Sequence, residues 1–145
     1  MYMSEPEHRD MAYLLEDVMK NKFNRAFYQE DLWKYVENKQ TEEYDMKDVK
    51  HWVYAPCWSY NINNTECFYS IYQVLMQKGN FKEDMKRIKK ADTKYPLIVI
   101  ENEFDSYGGI LDGNHRFAKL IMNNSKKVKF KYISRKELDK LMVKV

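Results

Sequence analysis

Apolar residues in the first 90 positions recur every three or four residues, which is the spacing of amphipathic helices. The predicted helices lie near 8–22, over 29–39 with Glu30 and Asp31 in the first turn, from after Thr65 to Gly79, and over 81–88. In this interpretation residues 61–65 form a loop, and Thr65 caps the third helix. Residues 45–60 fit either a short strand or a helical turn, which Pro56 closes.

From residue 94 onward the pattern becomes one of strands alternating with helices. Residues 96–100 are a continuous apolar run rich in β-branched side chains, which predicts a strand buried on both faces. The elements predicted after it are a turn over 106–109, a strand at 110–111, a short helix through 117–121, a strand over 127–132 with alternating lysines, and a helix opened by the capping box 134–137. The order strand, strand, helix, strand, helix describes a small α/β unit over 95–145.

These elements together predict an α+β fold, a small mixed sheet with helices that is preceded by a helical N-terminal portion. No repeat, low-complexity stretch or linker divides the chain. We therefore expect a single domain over 1–145, with a mainly helical portion over 1–90 and the α/β core over 91–145. A chain of 145 residues that is 44% apolar and 32% charged has the composition of a globular domain.

Composition also excludes several classes of protein. No apolar run approaches the ~18 residues of a membrane span, and the polar start is not a signal peptide, so we expect a cytoplasmic protein without a membrane partner. Cys57 and Cys67 lack the spacing of a zinc or redox motif. The sequence therefore predicts no bound metal centre and two buried free thiols.

The net charge of +3 is unevenly distributed. Residues 126–145 carry eight Lys and Arg against Glu137 and Asp139, a balance of +6, so the first 125 residues sum to −3. A basic C-terminal surface fits an anionic partner such as a nucleic acid. The same run is also typical of an ordinary solvated face.

The candidate chemistry lies in Asp112-Gly113-Asn114-His115-Arg116, between the second strand and the following helix; we name it the 112–116 turn. Backbone N–H groups in the first turn of a helix have no internal partner, and the helix dipole adds positive charge there. Gly113 lets a ligand approach the backbone or allows a positive φ, and the three residues after it add donors. The turn is therefore predicted to bind a phosphate or another anion through Gly113, Asn114, His115 and Arg116.

Asp112 ends its strand, the position at which open α/β sheets bind ligands. It can hold a metal ion, orient His115 or accept a proton from a substrate hydroxyl. The candidate catalytic residues are accordingly Asp112, His115 and Arg116. A purely structural interpretation is also open, since Asp112 or Asn114 can simply cap a helix.

The stretch from Ile110 to Lys119 resembles the signature turn of the ParB/sulfiredoxin-like superfamily, and residues 91–99 resemble the segment that precedes it. The similarity covers about residues 85–140, with DGxHR as its core. Members include sulfiredoxins, ADP-dependent free-serine kinases, CTP-hydrolysing ParB partition proteins and restriction-linked DGQHR proteins, and they grip nucleotide phosphates with this turn. The resemblance implies a ParB/sulfiredoxin-like core and a nucleotide ligand, ATP, ADP or CTP with Mg²⁺.

Departures from the family pattern narrow this expectation. Sulfiredoxins have a reactive cysteine where this chain has Asn114, so we do not expect sulfinic acid reduction. ParB proteins have Arg in place of His115 and continue into a helix-turn-helix domain, for which this chain leaves no room, so we do not expect a partition protein. Serine-kinase-like members need a carboxylate base from an N-terminal segment. The candidates for that base are Asp45, Asp48, Glu101 and Glu103.

Three functions fit these observations. The first is a nucleotide-dependent phosphotransferase or NTPase in which His115 and Arg116 stabilise charge on the transferred phosphoryl group. The second is a non-catalytic ParB-like nucleic-acid-binding or regulatory module that uses the basic surface over 126–145. The third is an interaction protein that keeps the fold without its chemistry and binds a partner through the N-terminal helices.

Overall fold

Residues 11–100 and 109–145 are described by the computed structural model of the protein. The strands are β1 Met11–Ala12, β2 Arg25–Tyr28, β3 Glu42–Asp45, β4 Pro56–Ile62, β5 Thr65–Ser70, β6 Leu97–Ile100, β7 Ile110–Asp112, β8 Lys127–Ile133 and β9 Val143–Lys144. The helices are α1 Leu15–Met19, α2 Gln29–Val36, α3 Met46–Val49, α4 Ile71–Met76, α5 Lys82–Lys90, α6 Asn114–Met122 and α7 Arg135–Leu141, with 3₁₀ segments at Lys50–Tyr54 and Lys78–Asn80.

A four-stranded mixed sheet with the order β3-β8-β6-β7 supports the 112–116 turn. The central strands β6 and β8 are parallel, with Leu97 beside Phe130, and the two outer pairs are antiparallel. The order β6, β7, α6, β8, α7 confirms the predicted sequence of strand, strand, helix, strand, helix. The turn therefore lies directly after β7, at an edge of this sheet.

Strand β6 is buried on both faces, as its unbroken apolar run predicts. Leu97 and Val99 pack on one face with residues of α4, α5 and α6, whereas Ile98 and Ile100 pack on the other with residues of α2 and α7. The sheet is thus the middle layer between two groups of helices.

The N-terminal portion differs from the mainly helical prediction, because five of the described strands, β1 to β5, lie within it. Among the described residues of the predicted first helix, 11–22, those at 15–19 are helical, and Met11 instead pairs with Tyr28 across two strands. Strand β3 pairs with β8, so a strand from outside residues 91–145 completes the sheet of the predicted core. Mixed α and β structure is confirmed. The N-terminal portion, however, contains strands as well as helices, and one of its strands belongs to the sheet of the predicted core.

The first part of the predicted third helix, residues 66–70, is instead strand β5, which forms a hairpin with β4, whereas residues 71–76 are helical as predicted. Asn63 and Asn64 form its turn with φ of 51° and 65°, the left-handed pair that a two-residue hairpin requires. Ser70 and Gln73 then form a capping box that begins α4, so Ser70 and not Thr65 is the cap.

Residues 46–54 of the ambiguous segment are helical: α3 and a 3₁₀ turn bury Val49, Trp52 and Val53, and strand β4 then begins at Pro56. The predicted second, fourth and last helices are confirmed as α2, α5 and α7, and Ser134 and Glu137 form the predicted capping box. Most of the predicted turn over 106–109, and residues 8–10, lie outside the described residues. None of the helices within 11–100 and 109–145 has the length and apolar character that crossing a membrane requires.

Candidate functional site

Gly113 is the N-cap of α6 and has φ of 108°, a left-handed conformation that other residues rarely adopt. A Cβ at this position would lie 2.7 Å from Leu97 Cδ2 and 3.0 Å from Arg116 Nη2. The glycine is therefore needed for the turn itself and for close packing on β6. The sequence suggested two reasons for this glycine, the close approach of a ligand and a positive φ. The structure supports the positive φ. Leu97 and Arg116 fill the space beside the Cα, which leaves no room for a ligand there.

Asp112 and Arg116 form an ion pair, with 2.9 Å between Oδ2 and Nη2. Their side chains are only 13% and 11% exposed. The same Oδ2 also accepts a 2.9 Å hydrogen bond from Trp33 Nε1 of α2, and Arg116 Nη2 donates to the carbonyl of Pro96 at 3.2 Å. Asp112 thus ties the turn to α2 and positions Arg116. It does not orient His115, which was one of its predicted roles.

The hydrogen bonds of Arg116 to described residues come from Nη2, whereas its Nε is buried without a hydrogen-bond partner. A buried donor left unsatisfied costs about 1–3 kcal/mol. Arg116 Nε is shielded from solvent beside Gly113, so in this conformation it is closed to a ligand.

A cavity of about 220 Å³ adjoins the Asp112–Arg116 pair, and we name it the Trp33 cavity. It is lined by Trp33, Val36, Glu37, Tyr95, Pro96, Ile98, Asp112, Arg116 and Lys131. Lys131 donates to the carbonyls of Val36 and Glu37 and so satisfies the C-terminal end of α2. The cavity therefore combines aromatic and apolar walls with the Asp112–Arg116 pair and the charged residues Glu37 and Lys131.

His115 points to the other side of α6 from Arg116. Its Nε2 lies 3.2 Å from Asp84 Oδ1 in the first turn of α5, and its ring stacks on Trp58 with 4.6 Å between centroids and 25° between planes. Tyr69 donates a 2.8 Å hydrogen bond to Asp84 Oδ2. Tyr69, Asp84, His115 and Trp58 thus form one connected group, which we name the His115 cluster.

Asp84 is 13% exposed, and its ionisation is set by this cluster. Burial raises the pKa of Asp84, but hydrogen bonds from His115 and Tyr69 outweigh burial, so the pKa lies below its usual value. Asp84 is therefore an ionised carboxylate at neutral pH. It accepts hydrogen bonds through both oxygens.

The first turn of α6 keeps its capacity for an anion. Gly113 offers no side chain to cap the helix, and no acidic residue lies in that turn. By contrast, α1, α2, α5 and α7 each have an acidic residue in their first turn. Asn114 is half-buried at the first helical position, so its amide is available beside the N–H groups of the turn.

The two candidate carboxylate bases that the structure describes, Asp45 and Asp48, are not brought to the turn. Asp45 is on the edge strand β3, opposite β7 across the sheet, where a hydrogen bond from Lys127 lowers its pKa. Asp48 follows in α3 at the same edge. Glu101 and Glu103 lie outside the described residues.

The basic C-terminal surface is partly neutralised within the protein. Lys127 pairs with Asp45, Arg135 with Glu16 at 2.6 Å, and Lys131 binds the end of α2. A second cavity, of about 400 Å³, lies at the C-terminal end of α6 and is lined in part by Lys47, Lys50 and Lys126; we name it the lysine cavity. Of the basic residues at 126–145, Lys126 therefore lies at the end of α6 opposite the 112–116 turn.

Four side chains at this site were not expected from the sequence: Trp33, Trp58, Tyr69 and Asp84. Trp33 lies 79 residues before Asp112, and Asp84 lies 31 residues before His115. Their roles arise from packing between elements, so no local motif marks them. The one available signal is the acidic first turn of α5, which Asp84 shares with Glu83.

Known proteins provide no match: no family model, curated protein or solved structure matches this chain. Within the described residues, no group of three or more His, Cys, Asp or Glu is placed to hold a metal ion. The ParB/sulfiredoxin-like resemblance stays a prediction that rests on the residues of the turn.

Proposed function

We propose that this protein binds a nucleotide through its phosphates at the 112–116 turn and acts as a nucleotide-dependent phosphotransferase or NTPase with a ParB/sulfiredoxin-like core. The observation that supports the proposal is the start of α6. A glycine cap, the absence of an acid in the first turn and the backbone N–H groups of Asn114, His115 and Arg116 together favour an anionic ligand.

The Trp33 cavity supports a ligand that is larger than a phosphate. It adjoins Arg116, and its Trp33 and Tyr95 side chains offer apolar surface to a base or sugar. These features are consistent with ATP, ADP or CTP as the ligand.

Mg²⁺ would accompany such a nucleotide. Mg²⁺ is usually held by one or two carboxylates together with substrate phosphates, and keeps several waters. In the turn only Asp112 supplies a carboxylate, and its Oδ1 is used by neither Trp33 nor Arg116. The ion would neutralise charge on the phosphates while Asp112 holds it.

The experiment is a thermal-shift titration with ATP, ADP, CTP and GTP, each with Mg²⁺, on the wild type and on Asn114→Asp. The added carboxylate complements the dipole of α6 and stabilises the free protein by about 0.3–1 kcal/mol, but it repels phosphate. We expect one nucleotide at 100 times its Kd to stabilise the wild type by about 2.7 kcal/mol. In Asn114→Asp its affinity falls roughly tenfold or more.

The matched control is Asn123→Asp, the same chemical change at the other end of α6. It leaves nucleotide affinity close to that of the wild type. If no nucleotide stabilises the wild type, or if both variants bind equally well, the proposal is wrong. Binding of oligonucleotides that weakens steeply with salt, in the absence of nucleotide binding, would instead favour the nucleic-acid-binding module.

A further inference from the structure

We propose that His115 is the general base of this site, and that Asp84 and Tyr69 position it to remove a proton from the attacking hydroxyl group. This inference rests on the proposed function for its substrate, a nucleoside phosphate and a hydroxyl acceptor. The two suggested carboxylate bases that the structure describes, Asp45 and Asp48, do not lie at the turn. His115 takes the role of the base instead.

The hydrogen bonds of Asp84 determine which nitrogen of His115 is basic. An ionised carboxylate only accepts hydrogen bonds, so Tyr69 donates to Oδ2 and the imidazole donates to Oδ1. The proton of the neutral ring is therefore on Nε2. The lone pair of Nδ1 is then the basic site of His115.

The lone pair of Nδ1 is open to a substrate hydroxyl because the His115 side chain is partly exposed and its ring is held in place by Trp58. The side chain of His115 is 26% exposed, and Nδ1 has no hydrogen-bond partner among the described residues. Stacking on Trp58 fixes the plane of the ring.

Other reactive groups near the cluster do not compete for this role. Burial, and then the charge of Asp84, raise the pKa of the Cys57 thiol, so it stays protonated at neutral pH. Burial, and then the hydrogen bond to Asp84, raise the pKa of Tyr69, so it also stays protonated. Asp112 is held in its pair with Arg116.

Proton removal and phosphoryl transfer occur together in the reaction step. The hydroxyl proton of the acceptor moves to Nδ1 of His115 while the acceptor oxygen forms a bond to the terminal phosphorus. The bond from that phosphorus to the bridging oxygen breaks, and its electron pair stays on the departing nucleotide. The acceptor is an alcohol for a phosphotransferase and water for an NTPase. The imidazolium then returns its proton to solvent.

The first test observes His115 without any nucleotide. His8→Gln and His51→Gln leave His115 as the only histidine, and ¹⁵N NMR of the labelled chain is recorded at pH 8, where histidine side chains are neutral. We expect an observable Nε2–H signal and an unprotonated Nδ1. Asp84→Ala loses the Nε2–H signal, whereas Glu83→Gln, which removes a charge from the neighbouring residue, keeps it. If Nε2 of His115 is unprotonated in the chain that carries only His8→Gln and His51→Gln, the assignment of Nδ1 as the basic nitrogen is wrong.

The second test measures turnover with the nucleotide that binds. Loss of a general base typically costs about 10²–10⁴-fold in rate, so we expect His115→Gln and Asp84→Asn to lower kcat in that range with little change in KM. Glu83→Gln keeps the wild-type kcat. Full activity in Asp84→Asn overturns the inference and leaves the proposed function standing. Absence of nucleotide binding by the wild type refutes the proposed function and, with it, this assignment of His115, whatever the NMR shows.

Discussion

Gly113 and Arg116 show how single residues hold the turn in place. Arg116 uses one nitrogen for both Asp112 and the carbonyl of Pro96, and Gly113 makes room for that guanidinium against Leu97. The motif could be predicted from the sequence, because a glycine between a strand and a helix indicates a tight turn with positive φ. The pairing of Asp112 with Trp33 could not, because it depends on where α2 packs.

Gly113→Ala is expected to destabilise the protein by about 1–3 kcal/mol, since a left-handed residue is strained and the new Cβ would meet Leu97. Denaturant unfolding measures the change. Gly79→Ala is the control, because no atom lies within 4 Å of a Cβ there. Equal stability of the two variants would contradict the packing described for Gly113.

Arg116→Met is expected to cost about 3–5 kcal/mol, because it leaves the carboxylate of Asp112 buried without its partner. The double variant with Asp112→Asn removes both charges and should recover a large part of that loss. Unfolding free energies of the two single variants and the double variant measure the coupling. Strictly additive effects would show that the pair contributes nothing.

The elements that the sequence predicted correctly carry strong local signals. The β-branched run of β6 and the capping box of α7 are examples, because neither depends on a distant partner. Strand β3 has the sequence Glu-Glu-Tyr-Asp and is extended because Glu43 and Asp45 lie opposite Lys129 and Lys127 of β8. Such pairing cannot be recognised from one segment alone.

Helix α7 also carries a pH-sensitive contact. Hydrogen bonds, first from Lys39 and then from the backbone of Ser134, lower the pKa of Glu137 from 4.5 to about 2. A lowered pKa stabilises the fold above pH 4.5, and that contribution is lost as the pH falls towards 2. We expect Glu137→Gln to flatten the loss of stability between pH 5 and 2, measured by denaturant unfolding. An unchanged acid profile would contradict this role.

At the scale of the molecule, the site is assembled from both halves of the chain. The 112–116 turn comes from the predicted α/β core, whereas Trp33 and Asp84 come from helices on opposite sides of the sheet. Arg116 and His115 therefore point in opposite directions from one helical turn. The sequence predicted the turn because its residues are contiguous, and missed its partners because the sheet separates them.

The central claim, that phosphates bind the N–H groups at the start of α6, is tested most directly by two-dimensional ¹H–¹⁵N NMR of the backbone amides. The labelled wild type is titrated with the stabilising nucleotide and Mg²⁺. The largest downfield shifts are predicted for the amides of Asn114, His115 and Arg116, because their N–H groups would donate to the phosphate oxygens. Saturable binding that leaves these amides unmoved, or that shifts residues of the lysine cavity instead, would contradict the claim.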